Sequence, residues 1–400
     1  KVPTWKLAEL KIMALHVVEK VNNPVRVAQI GLGGGIGPLH LDEMEKNPNF
    51  SIVAGCDSRL ESEAVAKQAA RITALGGKIS SDFREVLKDP QVEAVCIAAP
   101  HFLHREMTVA SFEAGKHVLV EKPMATHPDD CRAMLEAQKK SGKVGAVQMQ
   151  HVGRKSFLEL RRHIQSGAIG PIREIFLSSL WWRENPYFER VAWAGKKMFG
   201  NTWNLDGIMF NQAIHFINQT LVLCSQGDLP AVADTRDVQV ALYKFHDTPA
   251  LEMEDCAFIS ATLSTPDAPR LWAIATTCSR VDRHSIELIG SHGRALWNGV
   301  GYLFVDGQPS LEFTDDNKEF GGTSRVFNSF AQAVRTGTRP LTDFSAICKT
   351  TDFVFSCYQS AGWKIKKAPW SATDTLPEIF RQVHQQRQLP VALKSVPSWA

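Results

Sequence analysis

Three groups of residues could do chemistry on a bound ligand. The first is a cluster of glycines, Gly31, Gly33, Gly34, Gly35 and Gly37 in GLGGGIG, directly after the apolar run VRVAQI. Glycine there lets the chain turn sharply and brings backbone N–H groups against a pyrophosphate at the mouth of the next helix. The loop is one residue longer than GxGxxG, so spacing alone does not say which glycines touch phosphate. The second is Asp57, which closes the apolar run FSIVAGC about 20 residues beyond Gly37, the spacing of a carboxylate that accepts hydrogen bonds from an adenosine ribose. That favours NAD over NADP, although Ser58 and Arg59 follow directly and offer a place for a 2′-phosphate, and a strand-end Asp can also cap the following helix. The third group comprises Pro100, His101 and His104 in AAPHFLH with Glu121, Lys122 and Pro123 in HVLVEKP, each leaving an apolar run. Ligands of open α/β sheets bind outside the carboxyl ends of strands, so these residues should converge on one crevice. A lysine beside HVLV is costly to bury unpaired. Burial lowers its pKa, and its ammonium can hydrogen-bond a substrate hydroxyl.

The elements that would position these groups alternate in type. Short apolar runs at Val25, Phe50–Asp57, Val92–Pro100, Lys116–Pro123 and Val144–Gln150 are separated by helical patterns at Pro38–Lys46, Arg59–Leu75, Asp82–Asp89, His104–Gly115 and His127–Gly142. Parallel strands need crossover helices, so the rhythm predicts a Rossmann-type doubly wound parallel sheet over 25–148. Beyond that comes a helix at Lys155–Ser166, then IREIFLSSLWW, VQVALYKF, AFISATLS, LWAIATTCS and HSIELIG, which read as strands separated by turn-rich segments. This predicts a second α/β domain over 149–400 with a large, mostly antiparallel open sheet, one face helix-covered and the other available for subunit pairing. Two late helices, SRVFNSFAQAVRTG and FSAICKTTDFVFSCYQSAGW, and a C-terminal wrap from Lys366 complete it. Residues 1–24 form a separate extension, in which Lys6–Val21 reads as an amphipathic helix rather than a secretory signal.

Composition narrows the function. Among 400 residues, 45 Lys and Arg face 42 Asp and Glu, a net charge of +3 with the signs interspersed, too weak a field for nucleic acid. No run approaches the roughly 20 apolar residues that span a bilayer. The eight cysteines are scattered without a CxxC pair or metal spacing, so no metal is expected, and reduced, buried thiols suit a cytoplasmic protein. The stretch 181–203 is dense in aromatic and charged side chains, among them Trp182, Arg183 and Tyr187, which suit a carbohydrate with apolar C–H faces and polar edges; a structural aromatic cluster accounts for the density equally well.

GLGGGIGPLH, AAPHFLH, HVLVEKPMA and NLDGIMFNQAIH together resemble the Gfo/Idh/MocA oxidoreductases, the family of glucose-fructose oxidoreductase and inositol dehydrogenase, from about Val25 to Trp363. The resemblance implies a nicotinamide-dependent enzyme moving a hydride to or from a hydroxyl-bearing carbon of a sugar, sugar derivative or cyclitol. It further implies homodimers or homotetramers through the second domain's sheet. It places Lys122 on substrate and nicotinamide, Glu121 beside the cofactor, and Gln150 and Trp193 along the nicotinamide or substrate side. The family's catalytic Asp and His, four residues apart, fall on Asn211 and His215, which the spacing puts on one helical face. His215 is the expected general base, and Asn211 replaces a carboxylate with an amide that still hydrogen-bonds a hydroxyl. Two alternatives stay open. An NAD-dependent glycosidase using transient oxidation and elimination would cleave glycosides without net cofactor change, and a dinucleotide-sensing regulator would show no turnover.

Overall fold

The computed structural model describes residues 20–315 and 322–367, so the expected amphipathic helix at Lys6–Val21, apart from its last two residues, and the C-terminal wrap beyond 367 lie outside the described residues. The first half alternates β1 (Val25–Ile30), α1 (Gly37–Lys46), β2 (Phe50–Cys56), α2 (Glu63–Ala74), β3 (Lys78–Ser80), α3 (Phe83–Lys88), β4 (Ala94–Ile97), α4 (His104–Glu113), β5 (His117–Glu121), α5 (Pro128–Ser141) and β6 (Gly145–Gln148). The six strands form one parallel sheet in the order β3-β2-β1-β4-β5-β6, so the expected doubly wound Rossmann sheet is present. Strands β4 and β6 are buried at every position, as the continuous apolar runs required. Local signals set the helix ends. In α5 the His127 side chain accepts from Asp129 N, Pro128 takes the first turn with Asp129 and Asp130, and Gly142 closes the helix at φ 65°. The sequence pattern starts α2 at Arg59, but the helix begins at Glu63, because the Asp57 side chain captures Arg59 N and holds the chain in a turn.

The second half runs α6 (Lys155–Gln165), β7 (Ile172–Trp182), α7 (Asn185–Glu189), β8 (Met198–Phe199), β9 (Thr202–Trp203), α8 (Ile214–Leu223), β10 (Thr235–Lys244), β11 (Cys256–Leu263), β12 (Arg270–Thr276), β13 (Cys278–Gly290), β14 (Gly293–Trp297), β15 (Gly301–Val305), β16 (Leu311–Phe313), α9 (Thr323–Thr336), α10 (Phe344–Ser360) and β17 (Ile365–Lys367). Its nine-stranded sheet has the order β16-β15-β14-β13-β7-β12-β11-β10-β17; β7 with β12 and β10 with β17 pair parallel, and the other pairs are antiparallel. The mostly antiparallel second sheet is therefore present, and it is wider than the strands read from sequence, since β14 to β17 are short and weakly patterned. Helix α8 is buried at every position, with Phe216 stacked on His284 of β13 and Asn218 accepting from Thr350 of α10.

The sequence pattern assigns α9 to the second domain. Instead its Val326, Phe327, Phe330 and Ala331 enter the core formed by Val25, Val27, Leu41 and Phe50, so the chain returns to cover the first sheet. Among the described residues no helix is long and apolar enough to cross a membrane.

Candidate active site

The crevice begins where β1 ends. Gly31 adopts φ 89°, and a Cβ there would collide with the Ala98 carbonyl oxygen at the end of β4, so only glycine lets the two strand ends approach. Gly37 is the first residue of α1, which has no side-chain cap, leaving the first-turn amides without an internal partner. Around Gly34 and Gly35 the space is open. Asp57 is buried, and its Oδ2 accepts from Leu32 N at 2.9 Å and Gly33 N at 3.1 Å while Oδ1 accepts from Arg59 N. The carboxylate thus shapes the glycine loop itself, rather than capping α2. Ser58 and Arg59 are exposed beside it.

Across the sheet, Glu121 ends β5. Its Oε1 meets His40 Nε2 of α1 at 2.8 Å and its Oε2 accepts from Lys122 N, which ties the glycine helix to the lysine. Burial alone would lower the His40 pKa, but Cys96 and Glu121 beside it hold it raised. Lys122 is half-buried and donates from Nζ to Asn211 O at 3.0 Å; burial lowers its pKa, and Glu121 and Asp206 partly restore it. His104 is 0% exposed, its two ring nitrogens each 2.8 Å from a carbonyl oxygen, Pro123 O and Ala99 O, so it is wedged between the strand ends with both nitrogens turned away from the crevice's ligand. Pro100 and His101 sit at the lip, with the His101 ring 5.1 Å from that of Trp193.

From the second half comes the segment Asn204–His215. Asn211 lies in the turns ahead of α8 rather than on the helix with His215, because Asn211 N bonds Gly207 O and Ala213 N bonds Ile208 O, and regular helix begins only at Ile214. The two still reach the same place. Asn211 Nδ2 donates to Asp206 Oδ1 at 2.7 Å, and Asp206 Oδ2 accepts from Gly195 N at 2.8 Å. Asp206 is 3% exposed; burial raises its carboxyl to about 6, against the opposing pull of Gly195 N, Arg190 and Lys122. Its Oδ1 lies 3.8 Å from His101 Nδ1. A carboxylate therefore does stand at the site, supplied by Asp206 rather than by the position of Asn211. Glu254 holds this turn from beneath: its backbone oxygen accepts from Ile208 N, its side chain accepts from Met209 N and Tyr358 Oη, and it crowds Gly207 so closely that no Cβ fits there.

His215 is 7% exposed, its ring stacked on His151 at 4.4 Å and 12°, and its Nδ1 is buried without a hydrogen-bond partner. Burial, then His151 and Lys122, drive its pKa well below the usual value, so the imidazole is neutral. Gln150, beside His151 at the end of the first sheet, likewise has a buried, unpartnered Oε1.

The aromatic wall is a ladder: Arg183 lies over Trp181 and Tyr187, Arg190 over Tyr187 at 3.8 Å and over Trp193, and Tyr187 Oη accepts from Gln212 Nε2 at 2.8 Å. The ladder brings Arg183, Tyr187 and Trp193 to the site. Trp182, expected on the substrate, is not on this face. Trp181 packs toward Phe216 of α8, and strand alternation sends Trp182 to the opposite side, where it is 37% exposed.

Sequence reasoning missed Asp206, Gln212, His40 and His151. The first three stand inside quoted motifs, in NLDG, FNQAIH and GPLH, but nothing local marks which polar residue of a motif turns inward. Unpartnered buried atoms on His101, Gln150 and His215, the open space at Gly34 and Gly35 and the uncapped start of α1 are what a nicotinamide dinucleotide laid across this crevice would use.

Comparison with known proteins agrees. A family model described as an oxidoreductase family with an NAD-binding Rossmann fold matches residues 25–151, and the Gfo/Idh/MocA C-terminal domain matches 157–296. D-glucoside 3-dehydrogenase of Escherichia coli is 31% identical over 152 residues, 38% of this chain and 42% of that protein. Inositol 2-dehydrogenase of Salmonella typhimurium is 33% identical over 142 residues, 34% of this chain and 41% of that protein. The chain thus spans about two-fifths of the length of these curated relatives. An inositol dehydrogenase homolog from Azotobacter vinelandii, solved with NAD+, superposes with a TM-score of 0.73 at 18% identity, covering 86% of this chain and 97% of that one, which establishes the common fold. With both family models matched in order on the two sheets, and the glycine loop opening the first, the chain belongs to the Gfo/Idh/MocA oxidoreductase family.

Proposed function

We propose that the protein is an NAD-dependent dehydrogenase acting on a CH–OH group of a sugar, sugar derivative or cyclitol. The observation that carries this reading is the convergence of Lys122, Asn211, Asp206 and His215 beside the glycine loop, joined by the Lys122 Nζ to Asn211 O and Asn211 Nδ2 to Asp206 contacts. The names of the relatives, a glucoside 3-dehydrogenase and an inositol 2-dehydrogenase, support the substrate class.

Bound NAD would supply the acceptor for a hydride leaving the reacting carbon. Residues 25–148 would hold it, the glycine loop and the start of α1 offering amides to its pyrophosphate and Asp57 a carboxylate to the ribose that disfavours a 2′-phosphate, with Gln150 and Trp193 from beyond that segment on the nicotinamide side. Lys122 turns its ammonium from Asn211 O to the substrate oxygen and stabilises the negative charge that develops there. The neutral His215 accepts the hydroxyl proton through an imidazole nitrogen. Asn211 orients a neighbouring hydroxyl, and Asp206 fixes the Asn211 amide and sustains the charge on Lys122. Arg183, Tyr187 and Gln212 line the outer sugar positions. The second sheet also mediates assembly into dimers or tetramers, a reading supported by the apolar, half-exposed Leu180, Trp272 and Ile274 on its uncovered positions.

The test is NADH absorbance at 340 nm while purified protein meets a panel of monosaccharides, glycosides and inositols. Substrate-dependent NADH formation is expected. Release of aglycone without NADH would sink the dehydrogenase reading in favour of the glycosidase, and no turnover across the panel with NAD still bound would favour a sensor.

A further inference from the structure

Away from this crevice, three residues of different chemistry converge at one end of the second sheet. His246 follows β10, Asp255 precedes β11 and Cys278 opens β13. His246 Nδ1 lies 2.9 Å from Asp255 Oδ2 and 3.5 Å from Cys278 Sγ, and the three ligand atoms all lie within 4.8 Å of one another. Asp255 is 1% exposed and Cys278 8%.

The arrangement is not that of a nucleophile with its base and orienting acid. Such a triad uses the two imidazole nitrogens for different partners, with the thiol on one and the carboxylate on the other. Here both groups face the same nitrogen, and the other, Nε2, is spent on the Arg183 carbonyl oxygen at 2.7 Å. A carbonyl only accepts, so Nε2 carries the hydrogen and Nδ1 is the atom left to face a cation. Donation of the far N–H to a backbone carbonyl is the support that metal-bound histidines receive. The carboxylate is braced too, since Asp255 accepts from Phe245 N and His246 N.

We propose that His246 Nδ1, Cys278 Sγ and Asp255 Oδ2 form a zinc site, with water in the fourth position. Tetrahedral zinc bonds of about 2.0 Å to nitrogen and about 2.3 Å to sulfur place those two atoms about 3.5 Å apart, the separation that already exists between Nδ1 and Sγ. The carboxylate oxygen, now at hydrogen-bond distance from Nδ1, would draw back by a few tenths of an ångström to share the ion. Zinc displaces one proton from the thiol and one from between Nδ1 and the carboxylate. Neutral imidazole, thiolate and carboxylate then balance the two charges of the ion, so no net charge is buried. The mixed nitrogen, sulfur and carboxylate donor set suits zinc over the harder magnesium or calcium. Bound there, the ion staples the strand ends of β10, β11 and β13, and through Nε2 it fixes Arg183, the first rung of the aromatic ladder. The site stands or falls independently of the hydride-transfer reading.

Chelator-treated full-length protein titrated with Co²⁺ tests it directly. One equivalent should bind with a thiolate-to-cobalt charge-transfer band and four-coordinate d–d bands, and one equivalent of Zn²⁺ should abolish both. Affinity should rise with pH as the two protons leave. Cys278→Ser should remove the charge-transfer band and weaken zinc by about 100-fold or more, while Cys224→Ala should change neither. Should the serine variant not fold, X-ray absorption of the zinc-loaded wild type decides, with one sulfur at about 2.3 Å expected. An absorption spectrum without sulfur, binding unaltered in folded C278S, or no binding below about 10 µM overturns the proposal and leaves a protonated His246–Asp255 ion pair.

Discussion

Replacing Asp206 by Asn separates the roles assigned to this carboxylate from mere packing. Burial raises its carboxyl from 3.8 to about 6. The folded state therefore binds this proton more tightly than the unfolded chain, and the associated stability is complete below about pH 4 and lost as pH rises through 6. A difference of about 2 at roughly 1.4 kcal/mol for each corresponds to roughly 3 kcal/mol, with little solvent screening to discount at a side chain so enclosed. D206N has no such proton to lose. Its stability relative to wild type should climb by roughly 3 kcal/mol between pH 4 and pH 7, whatever constant penalty of about 1–3 kcal/mol follows from the lost acceptor for Gly195 N or Asn211. Urea unfolding across that pH range, read by tryptophan fluorescence, gives the two curves. Activity should move the other way: the wild-type kcat/KM falls below pH 6 as the carboxylate is protonated, and D206N is slow throughout, its alkaline limb shifted to lower pH because Lys122 has lost a supporting charge. Parallel stability curves, or an unchanged pH–rate profile in the variant, would refute the reasoning.

Four further substitutions have expected outcomes. Lys122→Met should cut turnover by about 10²–10⁴-fold with the circular dichroism spectrum retained, and His215→Ala should do likewise; wild-type rates in either would remove that residue from the chemistry. Asp57→Ala should lower the ratio of kcat/KM for NAD over NADP, since the carboxylate that opposes a 2′-phosphate is gone and Arg59 stays; it should also loosen the glycine loop, whose Leu32 and Gly33 amides it holds. Gly31→Ala should destabilise the protein by about 1–3 kcal/mol and raise the KM for NAD, because a left-handed φ of 89° and the Ala98 carbonyl both oppose a side chain there.

Through the family resemblance the sequence offered Lys122 and His215 as site candidates; by itself it determined the parallel sheet, the position of the glycine loop and the ends of β4 and β5. Each of these is written in local order: apolar runs of strand length, glycines at a strand-to-helix turn, a charged residue at the end of a buried run. Asn211 and His215 both lie near Lys122, although a turn rather than a helix presents the first of them. Only the tertiary structure decided which polar groups of a motif meet. Asp206 and Asn211 are near neighbours in sequence, and the link of Asp206 to Gly195 closes a loop of the same segment, but that of Asn211 to Lys122 joins the two halves of the chain. The His40–Glu121 contact joins α1 to β5, and His151 reaches His215 only through the junction of the two sheets. Trp181 and Trp182 are indistinguishable by composition until strand register assigns them to opposite faces, and α9 reads as an ordinary amphipathic helix until the core it covers is known. Periodicity fixes a side chain's face on its own element; which distant element that face meets depends on packing, which the spacing of residues along the chain does not encode.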